Sequence, residues 1–185
     1  MVKNIPVSKN NNSKIAIIAI HGWKGNLSSM EHVASALNIN YAQWTFIQGP
    51  YTAGDNKYSW FERSEENRWK YQESFDLLHK TILDINQNGF PKSNIFLLGF
   101  SQGACLAMEF IIRQKFSIGG IIPIAGFIGK KDRFKSGIVD GSKNTPVLLI
   151  HGSEDEMVLP VESKIALKLF SDCLLYTSDA ADDPA

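Results

Sequence analysis

Ile95-Phe96-Leu97-Leu98-Gly99-Phe100-Ser101-Gln102-Gly103-Ala104 decides how this chain is read, because a buried strand gives way there to an amphipathic helix across a G-x-S-x-G turn. The bare pattern arises by chance in roughly one chain in twenty of this length, so its setting carries the weight. A serine on a tight strand-to-helix turn needs slim neighbours: Gly99 and Gly103 let the turn close, and Ala104 keeps the first helical turn narrow. The Ser101 hydroxyl then projects from the sheet edge. The helix beginning at Gln102 points its free N–H groups and positive dipole end toward the same spot, where they favour the oxyanion of a tetrahedral intermediate. The bland alternative is a helix N-cap serine after a glycine turn.

Outward from this turn, short apolar runs alternate with helical patterns. Residues 14–20, 43–47, 94–100, 118–125 and 146–150 are near-continuously apolar, as strands buried on both faces are. Tyr71, Phe75, Leu78, Ile82 and Ile85 recur at spacings of four, three, four and three, one stripe on a helix that ends before Gly89 and Pro91. A shorter helix over 162–170 places Ile165 and Leu169 on one face, with Pro160 ahead of it, where a missing N–H does no harm. The alternation predicts an α/β fold, a mostly parallel sheet with helices on both faces. With 185 residues, 44% of them hydrophobic, the chain suits one domain, over 14–172, behind a flexible polar N-terminus over 1–13.

Two further strand-end turns carry chemistry. His21-Gly22-Trp23-Lys24-Gly25 follows the first apolar run, and the Trp23 N–H is a candidate second donor to the oxyanion; such a donor is typically worth about a hundred- to a thousandfold in rate. Alternatively this is a plain turn in which His21 bonds its own loop. His151-Gly152-Ser153-Glu154-Asp155-Glu156 follows the last run. An acid after the serine on a later strand has the chain order that orients an imidazole, which favours Asp155, with Glu154 and Glu156 as rivals and solvated loop charge as the plain alternative.

Bulk properties exclude several classes. Nineteen basic and nineteen acidic residues leave no net field to attract nucleic acid or an anionic membrane, so the expected partner is a small molecule. No apolar segment reads as a secretory signal or a membrane span, and two cysteines suit a reducing cytoplasm. Gly126-Phe127-Ile128-Gly129-Lys130-Lys131 lacks the spacing and the hydroxyl residue of a phosphate loop; Lys130, Lys131, Arg133 and Lys135 read as a solvated loop.

At its three turns the sequence resembles the phospholipase/carboxylesterase family of α/β-hydrolases, over roughly residues 15–170. The resemblance implies a serine carboxylesterase or thioesterase that works through an acyl-serine and needs no metal or organic cofactor. It assigns Ser101 as nucleophile, the N–H groups of Trp23 and Gln102 to the oxyanion hole, and Asp155 as triad acid. Gly49-Pro50 followed by Ser59-Trp60-Phe61 looks like the family loop that walls the acyl site, making Trp60 and Phe61 candidate pocket residues; a local hydrophobic plug is the equal alternative.

The pattern then breaks. The family expects a further strand, a glycine-flanked histidine and a closing helix, and His21, His32, His79 and His151 all precede Asp155. A hydrolase lacking its last strand, helix and base is expected to be nearly silent, and a non-catalytic ligand-binding protein of the same fold is the alternative. Residues 173–182 resemble the conceptual translation of a sequencing-library adapter, so 173–185 is expected to be a non-native tail, unless it is a genuine acidic C-terminus.

Overall fold

The apolar runs become the strands of one sheet because a chain segment that is apolar on both faces is satisfied only between two covering layers. The computed structural model describes residues 2–5, 13–66, 68–129, 134, 138–173 and 177–179. Of the segments 1–13 and 173–185, only 2–5, 13, 173 and 177–179 are among them, and Lys130, Lys131, Arg133 and Lys135 lie outside the described residues.

The elements in chain order are β1 (Val2–Ile5), β2 (Ile15–Ile20), α1 (Glu31–Leu37), β3 (Ala42–Ile47), β4 (Tyr51–Thr52), β5 (Tyr58–Ser59), β6 (Glu62–Arg63), β7 (Trp69–Lys70) and α2 (Gln72–Gln87). They continue with β8 (Ile95–Phe100), α3 (Gln102–Ile111), β9 (Gly120–Ile124), β10 (Val147–Leu149), α4 (Val161–Cys173) and β11 (Thr177–Asp179). The main sheet has seven strands in the order β1-β3-β2-β8-β9-β10-β11. All its pairings are parallel except β1 with β3, so the sheet is mostly parallel as the sequence predicts. Two strands were not anticipated: the antiparallel edge strand β1, and β11, a three-residue strand beside β10. The pairs β4–β5 and β6–β7 form small hairpins in the loop ahead of α2.

Alternation along β2 divides the core. Ala16, Ile18 and Ile20 face a large cluster that takes Phe75, Leu78, Ile82 and Ile85 from α2, Leu106 and Phe110 from α3, and Ala166, Leu169 and Phe170 from α4. The predicted stripe on α2 is thus core. Phe75 meets Phe110 edge-on at 5.6 Å between centroids, and each such buried side chain contributes about 1.5–3 kcal/mol. Ile17 and Ala19 face the opposite layer, with Trp44, Phe46 and the α1 residue Ala34. On that side Phe96, Ile122 and Ile124 are only partly buried.

The topology fixes where chemistry can sit. From β2 the chain first builds β3 on one side and later β8 on the other, so the order reverses between β2 and β8. In open α/β sheets, ligands bind outside the carboxyl ends of the strands at such a switch point. The turn after β2 begins at His21 and the turn after β8 is Ser101.

Candidate active site

Ser101 stands between the last residue of β8 and the first of α3, with φ 51° and ψ −112°. A non-glycine residue there is strained by about 1–3 kcal/mol and persists only where its surroundings over-determine it. Here they do. The Ser101 N–H donates to the Ile124 carbonyl at 2.8 Å, and its carbonyl accepts from the Cys105 N–H at 3.0 Å. Its side chain makes no capping bond to the helix, unlike the cap serine of the plain alternative. Among the described residues, neither the Gln102 N–H nor the Trp23 N–H donates to a backbone acceptor.

The two glycines of the motif are steric requirements. A Cβ on Gly99 would lie 2.4 Å from the Gly103 carbonyl oxygen, and one on Gly103 would lie 2.3 Å from the Ile20 oxygen and 2.6 Å from the His21 oxygen. Gly103 is thus where α3 presses on the end of β2 and draws the His21 turn toward Ser101. Gly103→Ala is expected to destabilise by roughly 3 kcal/mol, lowering Tm by about 6–12 °C. Gly152→Ala, where nothing lies within 4 Å of the added carbon, should leave Tm unchanged; thermal unfolding of the two variants checks the contrast.

His21 is fully buried and acts as a tie. Its Nδ1–H donates to the Gly22 carbonyl at 2.7 Å, while Nε2 accepts from the Gly49 N–H at 3.0 Å. Those partners select the neutral Nδ1–H tautomer. Burial, outweighing the Gly22 hydrogen bond, holds its pKa below the usual histidine range. The plain alternative, a histidine bonding its own loop, is therefore part of the answer.

Trp60 has no exposed surface. Its indole N–H donates to the His21 carbonyl at 2.7 Å, its N–H donates to the Gln102 Oε1 at 3.0 Å, and its carbonyl accepts from Ser74 at 2.8 Å. Trp60 packs against the His21 ring, 4.8 Å between their centroids. Phe61 is half-buried, edge-on to Trp69 at 6.4 Å. The Gln102 side chain, which no sequence signal singled out, also donates to Ser59 Oγ at 3.0 Å, so the residue after the serine bolts the 59–61 loop to the turn.

Asp155 lies beyond β10 at the same edge of the sheet. The two turns are joined through backbone, the Ala125 N–H donating to the Ile150 carbonyl at 2.9 Å one residue after Ile124 receives the Ser101 N–H. Asp155 Oδ1 accepts from the Val158 and Met157 N–H groups, each at 2.9 Å. The Val158 N–H, with help from Met157 and against partial burial, holds the carboxyl below its usual range. Glu154 and Glu156 are exposed. His151 is enclosed by the same loop, Nδ1 2.6 Å from Ser163 Oγ and Nε2 2.6 Å from the Val158 carbonyl, with Asp155 Oδ2 3.7 Å away. It holds the loop that presents the carboxylate. His32 lies exposed on α1, and His79 on α2 contacts Gln114 at 3.3 Å. Among the described residues no three His, Cys, Asp or Glu side chains converge as a metal site, and no helix is long and apolar enough to cross a membrane.

Comparison with known proteins agrees with the geometry. The Phospholipase/Carboxylesterase family model matches residues 3–182. Acyl-protein thioesterase 1 homolog 2 of Dictyostelium discoideum is 25% identical over 169 residues, covering 83% of this chain and 76% of that protein. Lysophospholipase-like protein 1 of Mus musculus is 28% identical over 170 residues, covering 83% of this chain and 71% of that protein. The crystal structure of Arabidopsis thaliana SOBER1 shares the fold with a TM-score of 0.77 at 22% identity, over 90% of this chain and 87% of that one.

Proposed function

Because the chain belongs to the phospholipase/carboxylesterase family, and is thereby a hydrolase of the esterase type, we propose that its gene product cleaves a carboxylic ester or thioester through an acyl enzyme on Ser101. The observation that carries this is the Ser101 turn, strained at φ 51° with its hydroxyl left unused by the helix it begins. Ser101 Oγ attacks the carbonyl carbon and passes its proton to a histidine. The Trp23 and Gln102 N–H groups receive the charge that develops on the carbonyl oxygen. The bond to the leaving oxygen or sulfur breaks, and the histidine returns the proton to that atom. Water then attacks the acyl-serine, losing its proton to the same histidine; the carboxylic acid leaves and Ser101 recovers its proton.

Asp155 suits the role of orienting acid: two backbone N–H groups hold Oδ1, while Oδ2, 3.7 Å from His151 Nε2, is the oxygen an imidazole N–H would reach. None of the four histidines suits the role of base. His21 and His151 have both ring nitrogens engaged, His32 is exposed on α1, and His79 on α2 contacts Gln114. The acyl-serine reading therefore requires a base other than these four histidines. The same observation favours a second reading, a non-catalytic protein of this fold that holds a ligand at the strand ends.

A fluorophosphonate probe separates the two, since only an activated serine reacts quickly. A form extended to its native C-terminus is expected to be labelled at Ser101, and the 185-residue chain far more slowly. An extended form that resists labelling would support the binding protein and remove the esterase.

A further inference from the structure

We propose that the recess walled by Gly22, Trp23, Lys24, Met30, Val33 and Phe100 is the leaving-group subsite, built for a departing half that carries a short apolar segment ending in an anion. The inference rests on Ser101 being the nucleophile. The recess, of about 320 Å³, takes its lining from the turn after β2 and from Phe100, the last residue of β8. Phe100 precedes Ser101, and Gly22 lies against the Phe100 ring so closely that a Cβ there would come within 3.1 Å of it.

Two of its lining aromatics are exposed, Trp23 at 61% and Phe100 at 46%, and its lining also includes Met30, which is 3% exposed. Paired aromatics over an apolar hollow beside a reactive group mark a binding surface more than a packing defect. Lys24 supplies the polar end. Its φ of 61° is a left-handed conformation that a lysine adopts only under constraint. The constraint is visible: the Lys24 N–H donates to the Tyr58 carbonyl at 2.9 Å, and the Tyr58 N–H donates to the Gly25 carbonyl at 3.0 Å. That two-bond clasp holds the Lys24 backbone, and the ammonium lies 4.2 Å from the centre of the Trp23 ring. Among the described residues no carboxylate lies within ion-pair distance of it. A cation lining an apolar recess recognises an amphiphilic anion, an alkyl phosphate or carboxylate.

Hexyl phosphate and 1-hexanol, titrated into the 185-residue chain and followed by amide NMR, test this without any turnover. Both are expected to shift resonances of residues 22–25, 29–33 and 100, with hexyl phosphate binding about three- to fivefold tighter, the size of an exposed ion pair. Lys24→Met should erase that preference and leave hexanol binding unchanged. Val33→Trp, or Val33→Phe if the larger ring perturbs the fold, should weaken both ligands by occupying the recess. Equal binding of the two probes by the wild type, a preference that survives Lys24→Met, or shifts elsewhere on the molecule would overturn the assignment. Failure of the nucleophile reading is told apart by fluorophosphonate labelling: an unreactive Ser101 with an intact anion preference leaves a binding site and removes only its place in a reaction.

Discussion

Ser101→Ala, made in a form extended to the native C-terminus, is expected to lower kcat on a short-chain nitrophenyl ester by about a millionfold, the loss seen when a triad nucleophile is removed. What survives should be the modest acceleration from oxyanion donors and binding alone, about a thousandfold or more over water. The turn itself should not suffer. The Ser101 side chain makes no capping bond, and the strain at φ 51° is held by backbone partners, the Ile124 carbonyl and the Cys105 N–H, which alanine keeps. Thermal unfolding of the variant should therefore match the parent. A large loss of rate at constant Tm locates the chemistry on one oxygen, whereas rate and Tm falling together would mean that the serine serves the fold. Turnover that persists in the variant would remove the acyl-serine mechanism.

How much of this was legible in the sequence depends on where the information lies. The central strands were, because β2, β3, β8, β9 and β10 lie between two covering layers and are near-continuously apolar. So was the stripe of α2. The three turns were legible because each is short, follows an apolar run and carries residues with steric or titratable duties. The edges were not: Val2–Ile5 owes its strand state to the open side of β3, a partner its own four residues do not announce. The hairpins β4–β5 and β6–β7 have strands of two residues, below the length at which alternation is readable.

Within the site, residue roles that depend on long-range partners stayed hidden. That Trp60 bolts the His21 turn from 39 positions away, and that the Gln102 side chain reaches the 59–61 loop, follow only from three-dimensional packing. Aromatic character at position 60 fits a pocket wall and a plug equally well, and its complete burial is visible only in three dimensions. His21, for all its position in a catalytic-looking motif, is a tie for backbone, with its two ring nitrogens engaged by the Gly22 carbonyl and the Gly49 N–H.

Asp155→Asn in the extended form should lower kcat by about ten-thousandfold, as the equivalent change does in a Ser-His-Asp protease. The reasoning is geometric. One carboxylate oxygen is committed to the Val158 and Met157 N–H groups, so an asparagine would keep its carbonyl oxygen there and turn its amide N–H₂ toward the incoming imidazole. A donor in that place stabilises the tautomer whose other nitrogen already carries a proton, which leaves the base unable to accept one from Ser101. The pH dependence gives an independent reading. Asp155 has its pKa lowered chiefly by the Val158 N–H, so the carboxylate is ionised throughout the neutral range, and the loop stabilisation it gives is lost only as pH falls through its depressed folded value. The acid limb of kcat/KM for the parent should therefore belong to the histidine, near its ordinary range, and not to Asp155. A variant that keeps full rate, or a parent whose rate falls only as Asp155 itself takes up a proton, would transfer the role of acid elsewhere on this edge of the sheet, and the exposed Glu154 and Glu156 would be the next to replace.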